Sequence, residues 1–305
     1  MDIEVLRVDR LRFSDGAPVR SASAVVPFGG GLLVVPDDAT HAAWFRDEAV
    51  TAVRLLPPIA GHEVFDEASG TKHMKPDLEA ACQVTVDGAP AALMMGSGSS
   101  PARMLWSLLR LEHGEPRAVV ADMTQLYSAV AAAMSVDAEV LNMEGACTVD
   151  GALRWFHRGL PSAGLHSGSV DIDLTTALAA VLGQVDSGAV AVTNARHYDL
   201  GAVGGVGLAV TDVVALPGGT LLASAAAEDS PNPRDDGPVV ASALVRLEGE
   251  DVEEVVSLPT FEGSVIKVEG LMVVEADEQQ TLLLAVADVD DPTAASLATR
   301  LRVRH

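Results

Sequence analysis

Five copies of one unit recur along the 305 residues: an apolar strand with a polar residue near its start, a Gly- or Asp-containing turn, and a second apolar strand. Taking Ser23, Glu79, Glu144, Asp212 and Glu269 as the polar residue of each copy, the spacings are 56, 65, 68 and 57 residues. Units of this size repeating at a near-constant period predict an all-β chain, a five-bladed β-propeller with one or two short inserted helices, spanning residues 1–305 as a single domain. The two ends supply a further reason. A weakly alternating strand over residues 3–9 has no partner nearby, and the last copy has three strands, ending in Ser296–Val303, with no fourth. The N-terminal strand is expected to supply the missing outer strand and close the ring, because closure removes exposed sheet edges.

The copies follow in order. The first begins at Ser21–Val26, turns at Gly29–Gly31, runs through Leu32–Val35, Ala43–Phe45 and Ala49–Leu56, and stops at Pro57-Pro58. A long loop, residues 59–76, holds His62, His73 and Lys75. The second begins at Asp77–Cys82, turns at Asp87-Gly88, and continues through Ala91–Met95, Ser107–Leu111 and Ala118–Val120. Helical spacing over 123–134 after Asp122 predicts an inserted helix. The third, Leu141–Cys147, turns at Asp150-Gly151 into Leu153–Phe156 and Ser169–Asp173. A short helix is expected over 175–182, then an outer strand over Ala189–Thr193. The fourth begins at Val210–Val214, turns at Pro217-Gly218-Gly219, and includes Ala241–Leu247 and Val252–Val256. The fifth begins at Lys267–Leu271 and passes into Thr281–Leu284.

Composition bounds the function. Lys and Arg number 20 against 43 Asp and Glu, a formal charge of −23. Such a surface repels nucleic acid and anionic membranes at long range, so neither is expected as a partner. An anionic substrate would need a local cation. Cys82 and Cys147 lie in apolar strands and read as buried free thiols, with no zinc spacing. The first ten residues lack a basic and then apolar leader, and no uncharged apolar run reaches membrane-spanning length, so a cytoplasmic location is expected. Nothing in the sequence sets an oligomeric state.

The first strand of every propeller blade lines the axial channel, so the five polar positions meet near one axis. Glu79, Glu144, Asp212 and Glu269, with Ser23, then form a carboxylate-rich ring. Such a ring cannot ionise fully in a low-dielectric tunnel without a cation or protons. Hard oxygen ligands in a wide ring suit calcium. A hydrated polar channel without metal is the alternative. The loops at one end of the ring collect Asp37, Asp38, His41, Asp77, His157, Glu228, Asp229, Asp288 and Asp291. They also carry Lys75, Arg103, Arg158 and Arg234, which stand out because cations are scarce. Gly96-Ser97-Gly98-Ser99-Ser100 lacks the Gly-Lys-Ser/Thr ending of a phosphate loop and reads as a plain blade loop.

Residues 127–161 carry Tyr127–Ala133, Leu141–Cys147, Leu153–Phe156 and Arg158. This stretch resembles the calcium-dependent apyrases, five-bladed propellers with a tunnel calcium. Ile266–Gly270 is similar to that family's last-blade motif and Asp37-Asp38 to its first acidic turn. The resemblance implies calcium ligands at Ser23, Glu79, Glu144 and Glu269, with Asp212 where that family has a serine. Ala39 stands where the family has Arg, and Met143 where it has His. The Glu-Gly repeat is also similar to bacterial phytase-like and SdiA-regulated-type propellers.

The expected function is a calcium-dependent hydrolase of a phosphoanhydride or phosphoester. Asp37, Asp38 or Glu228 would act as base, and Lys75, Arg103, Arg158 and His41 would meet a small anionic substrate. A non-catalytic binding propeller with a structural metal is the alternative, and a lactonase-type propeller is a third class.

Overall fold

The computed structural model describes residues 1–230, 232, 237–261, 263–289, 291 and 293–305. Arg234 lies outside the described residues. The chain is a five-bladed β-propeller of antiparallel sheets. Strand β1 (Asp2–Arg10) belongs to the last blade. Blade 1 is β2 (Ala22–Phe28), β3 (Gly31–Pro36), β4 (His41–Arg46) and β5 (Ala49–Arg54), and blade 2 is β6 (Leu78–Val86), β7 (Ala89–Gly96), β8 (Leu105–Glu112) and β9 (Glu115–Asp122). Helix α1 (Thr124–Met134) leads to blade 3, made of β10 (Met143–Val149), β11 (Ala152–His157), β12 (Ser167–Ile172) and β13 (Val192–Tyr198), with α2 (Leu174–Val181) before β13. Blade 4 adds a short edge strand, β14 (Ala202–Val203), to β15 (Val206–Ala215), β16 (Leu221–Glu228), β17 (Val239–Glu248) and β18 (Asp251–Ser257). Blade 5 is β19 (Gly270–Ala276), β20 (Gln280–Ala287), β21 (Leu297–Arg304) and β1.

The N-terminal strand closes the ring as expected. β1 runs antiparallel to β21 from Asp2↔Arg304 to Arg10↔Leu297, and Glu4 meets both Arg302 and Arg304 at 2.9 and 2.8 Å. The inserted helices form where the spacing places them. Asp122 Oδ1 accepts from the Thr124 N–H at the start of α1, and Asp173 caps α2 by accepting from Thr176 N–H. The outer strand of blade 3 departs from expectation. Ser187–Ala189 is a 3₁₀ turn and the strand begins at Val192, because Asp186 accepts from Gly188 N–H and bends the chain there.

Each pair of neighbouring blades buries its own apolar cluster. Trp44, Leu33 and Met94 fill the seam between blades 1 and 2, while Phe156, Val210, Val245 and Leu247 fill that between 3 and 4. The seam between blades 2 and 3 is the largest, because α1 inserts Tyr127 into it. Trp155 packs edge-on to Trp106 (5.2 Å between centroids) and to Tyr127 (5.0 Å). Cys82 and Cys147 are buried free thiols.

The Glu-Gly pairs have a steric origin. A Cβ on Gly145 would lie 2.8 Å from the Asp212 Cα, and one on Gly270 would lie 2.8 Å from the Ala24 Cα. Each glycine therefore lets the channel strand of its blade touch the backbone of the next. The outcome is a ring tight enough to hold Glu144 and Glu269 over the axis.

Candidate functional site

The site is built from two positions per blade. The end of the second strand of one blade bonds to the start of the next blade's first strand: Asp77 N–H donates to Asp37 O (3.0 Å), and Met143 N–H donates to Ser97 O (2.7 Å). Asp37 and Asp38 at the end of β3 are thereby brought against Asp77, just before β6. Asp77 sits at φ 55°, a left-handed conformation that Asp tolerates better than most residues. The residues two before Ser23, Glu79, Glu144 and Glu269 are Ser21, Asp77, Asn142 and Lys267, and all eight line one cavity of about 840 Å³ at the channel mouth. Asp38, Lys75, Arg103, Arg158, Asp288 and Asp291 line it too.

Of the ring residues, Ser23, Glu79, Glu144 and Glu269 reach the cavity and Asp212 does not. The reason is register. Three channel strands carry an irregularity at the ring position: between Ala22 and Ala24, between Leu78 and Ala80, and between Met143 and Ala146. In β15 it falls between Val210 and Asp212, so the residue corresponding to Ser23 and Glu79 is Thr211. One residue of slip turns a side chain to the opposite face. Asp212 accordingly points into the blade contact, where its Oδ2 accepts from Leu271 N–H at 2.6 Å. Thr211 donates to Val268 O at 2.6 Å instead of facing the cavity.

The cavity has two charged poles. At the first, Lys75 bridges Asp37 and Asp77, while Arg103 Nη1 and the Ser97 hydroxyl also donate to Asp77 Oδ2. Burial would raise Asp77, but Lys75 and Arg103 outweigh it and hold its carboxyl below the ordinary value. Burial pushes Asp37 up to about 7 against the pull of Lys75. Burial, with Asp77 and Asp37 nearby, lifts Glu79 well above its ordinary value. Asp38 is raised by burial with Arg20 opposing.

At the second pole, Asn142 Nδ2 and Arg158 Nη1 donate to Glu144 Oε1 at 2.9 and 3.1 Å. Glu144 is 4% exposed, and among the described residues its buried Oε2 has no hydrogen-bond partner. Burial raises this carboxyl to about 7, with Arg158 opposing. Glu228 stands behind the lining. It takes Arg158 and Lys267 at 2.7 Å each on Oε2, and Ser230 Oγ and Gly237 N–H on Oε1. Burial is outweighed there by Arg158 and Lys267, which hold Glu228 at about 2. It is thus a fixed anion that positions two cations, and not a group that exchanges protons near neutrality. Lys267 also holds Glu269 at 2.9 Å.

His41 does not line the cavity. It is half-buried in β4, opposite Arg54 and 6.2 Å from the Phe13 ring, and burial lowers its pKa. Lys267, Asn142, Ser97 and Ser99 are site residues that strand reading passes over. The first two are signalled by their place two residues before a ring Glu. The two serines turn the plain loop after β7 into a hydrogen-bonding wall for Asp77.

Among the described residues, Asp37, Asp77 and Glu79 offer one oxygen each within 4.8 Å of one another. Calcium binds oxygen at roughly 2.3–2.6 Å, so ligands on one ion lie up to about 5 Å apart, and this set fits. The fit shifts the candidate donors from the axial ring toward the seam of blades 1 and 2. Among the described residues, no helix is long and apolar enough to cross a membrane.

A profile for a family of unknown function, DUF6910, matches residues 71–292. No curated protein matches the chain. Among solved structures, the chain is similar to MPT-4, a mannose phosphorylase from Leishmania mexicana, at 13% identity over 99% of this chain and 88% of that one, with a TM-score of 0.49. A protein of unknown function from Dyadobacter fermentans aligns over 99% of both chains at 12% identity and TM-score 0.41. A luciferin-regenerating enzyme aligns over 93% of this chain and 78% of its own at 10% identity and TM-score 0.37. At such identities their activities are not carried over to this chain.

Proposed function

The chain belongs to that family of unknown function, and we propose from its cavity that it is a hydrolase of a small ester-class substrate, lactones included, assisted by a calcium ion. The observation that carries the reading is Glu144, a carboxyl raised to about 7 and fixed through one oxygen, with the other oxygen unpartnered. A base with a pKa near the working pH is what general acid–base catalysis uses. Asn142 and Arg158 orient it, and Glu228 holds Arg158 in place. Asp37, Asp77 and Glu79 are the residues that would hold the ion, which supplies polarisation of a carbonyl and a more acidic water.

Charge argues the substrate class. Among the described residues the lining carries ten acids and six bases, and Lys75, Arg103, Arg158 and Lys267 are each within 3.1 Å of a carboxylate. None of these four is set aside for a phosphate, so a neutral or weakly charged carbonyl substrate suits the cavity better than a phosphoanhydride. The experiment is a hydrolysis screen of lactones, carboxylic esters and nucleoside diphosphates, with calcium and with EDTA. Calcium-dependent ester or lactone turnover that falls about 100-fold or more in Glu144→Gln, with melting unchanged, supports the reading. Absence of metal-dependent turnover on every class leaves the propeller a binding module; turnover confined to the diphosphates replaces the ester class with the phosphoanhydride.

A further inference from the structure

Lys75 stands where the divalent ion would go. Its Nζ is ion-paired with Asp37 Oδ2 and lies 2.7 Å from Asp77 Oδ1, so it engages two of the three carboxylates in the cation-sized group. The third behaves differently. Among the described residues no hydrogen bond or ion pair holds Glu79, although it lines the cavity. Glu144 on the same wall is 4% exposed with a buried Oε2 that no described residue satisfies. The cavity thus contains a half-buried carboxylate and a buried carboxylate oxygen that lack a cation, beside an ammonium already committed to their neighbours.

We propose that Lys75 is an internal counter-cation which a divalent ion displaces, so that its side chain sets the cation affinity of the site. This rests on the cation reading above. An ammonium and a divalent ion cannot share the same carboxylate oxygens, because like charges a few ångströms apart repel strongly in a partly buried site. Lys75 can leave without moving the backbone. It follows a single 3₁₀ turn, Lys72–Met74, its N–H is held by Lys72 O at 3.2 Å, and its charge rides on a flexible four-carbon stem. Asp77 need not move either, since Arg103 and Ser97 keep hold of its Oδ2. The released ammonium stays on the cavity wall, now unpaired. Cation binding would then leave a mobile ammonium on the cavity wall, able to donate a hydrogen bond to the carbonyl oxygen of a neutral substrate.

Calorimetric titration of the chelator-treated full chain with calcium tests this, using wild type, Lys75→Met, Lys75→Arg and Glu79→Gln, each checked for folding by its melting curve. Lys75→Met is expected to bind calcium at least about tenfold tighter than wild type, Lys75→Arg no tighter, and Glu79→Gln at least about tenfold weaker. Equal affinities in wild type and Lys75→Met, with Glu79→Gln weakened, overturn the role of Lys75 while the cation site stands. Absence of binding in wild type and Lys75→Met alike removes the cation site and this role with it. Should Lys75→Met not fold, the Lys75 Nζ resonance of ¹⁵N-labelled wild type carries the test. It is expected to shift and lose exchange protection as calcium is added, and an unmoved signal during measurable binding overturns the proposal.

Discussion

Lowering the pH should destabilise the protein through His157. This side chain ends β11 and is fully buried, with Nδ1 2.9 Å from Asn142 O and Nε2 buried without a partner among the described residues. Burial drives its pKa from 6.5 to about 4; the Asn142 contact acts in the opposite direction, and His197 adds a smaller downward push. In the unfolded chain the imidazole takes a proton near its ordinary 6.5, whereas in the folded chain it stays neutral. The unfolded state therefore binds more protons between those values, so stability rises with pH across the window and is lost as pH falls from 6.5 toward 4. At 1.36 kcal/mol per pH unit, the loss is about 2 kcal/mol by pH 5 and about 3 kcal/mol by pH 4. Other groups titrate in the same range, so the measurement is a difference. Urea unfolding at pH 7 and pH 5, both above the isoelectric point of about 4.5, is compared between wild type and His157→Gln. Wild type should lose about 2 kcal/mol more than the variant. Equal losses, to within about 0.5 kcal/mol, would show that His157 is protonated in the folded state or solvated there, and would refute the reasoning.

Three further outcomes follow from packing. Gly145→Ala and Gly270→Ala each drive a methyl into backbone 2.8 Å away and should cost about 1–3 kcal/mol in urea unfolding; unchanged midpoints would mean that the blades are looser than described. Trp155→Ala removes the centre of the Trp106–Trp155–Tyr127 cluster and should cost about 3–5 kcal/mol, measured in the same way. A chain lacking residues 1–10 exposes β21 as an unpaired edge, and its melting point should fall with aggregation visible by light scattering; a monodisperse product of unchanged melting point would contradict closure by β1.

The fold was legible because the repeat is written twice. Apolar strands and Asp-Gly turns recur in sequence, and the odd strand at one terminus matches the gap at the other. What strand periodicity did not show was blade 4. Val210-Thr211-Asp212-Val213 offers two polar residues in succession, and the acid is the natural choice because the other ring positions are mostly acids. The deciding feature is a one-residue irregularity in the pairing of β15 with β16, which depends on the partner strand and leaves no local mark. The slip sends Asp212 to the Leu271 amide and leaves Thr211 on the Val268 carbonyl. Among the described residues, blade 4 then reaches the site through Glu228 behind the lining and Gly237 on it.

The charge balance of the site was half legible. An acidic ring does demand compensation, and the sequence supports three sources of it: protons, a metal, or the chain's own cations. Lys75, Arg103 and Arg158 stand out as scarce cations, yet their partners cannot be assigned without the fold. The structure shows the chain's own cations at both poles: Lys75 and Arg103 on Asp77, Arg158 and Lys267 on Glu228. Compensation is uneven, however. Asp77 and Glu228 are saturated with donors, whereas Glu79 and the Oε2 of Glu144 receive none among the described residues. A purely structural ion network has no reason to leave the buried Oε2 of Glu144 unsatisfied on the wall of a cavity of about 840 Å³, beside a half-buried Glu79 raised in pKa, because buried unpaired acceptors cost stability. Unlike the unsatisfied Nε2 of His157, which lies in the packed interior, Glu144 lines a cavity where a ligand can complete it. The functional reading therefore attaches to Glu79 and Glu144, and the saturated acids beside them are the frame that keeps those two in place.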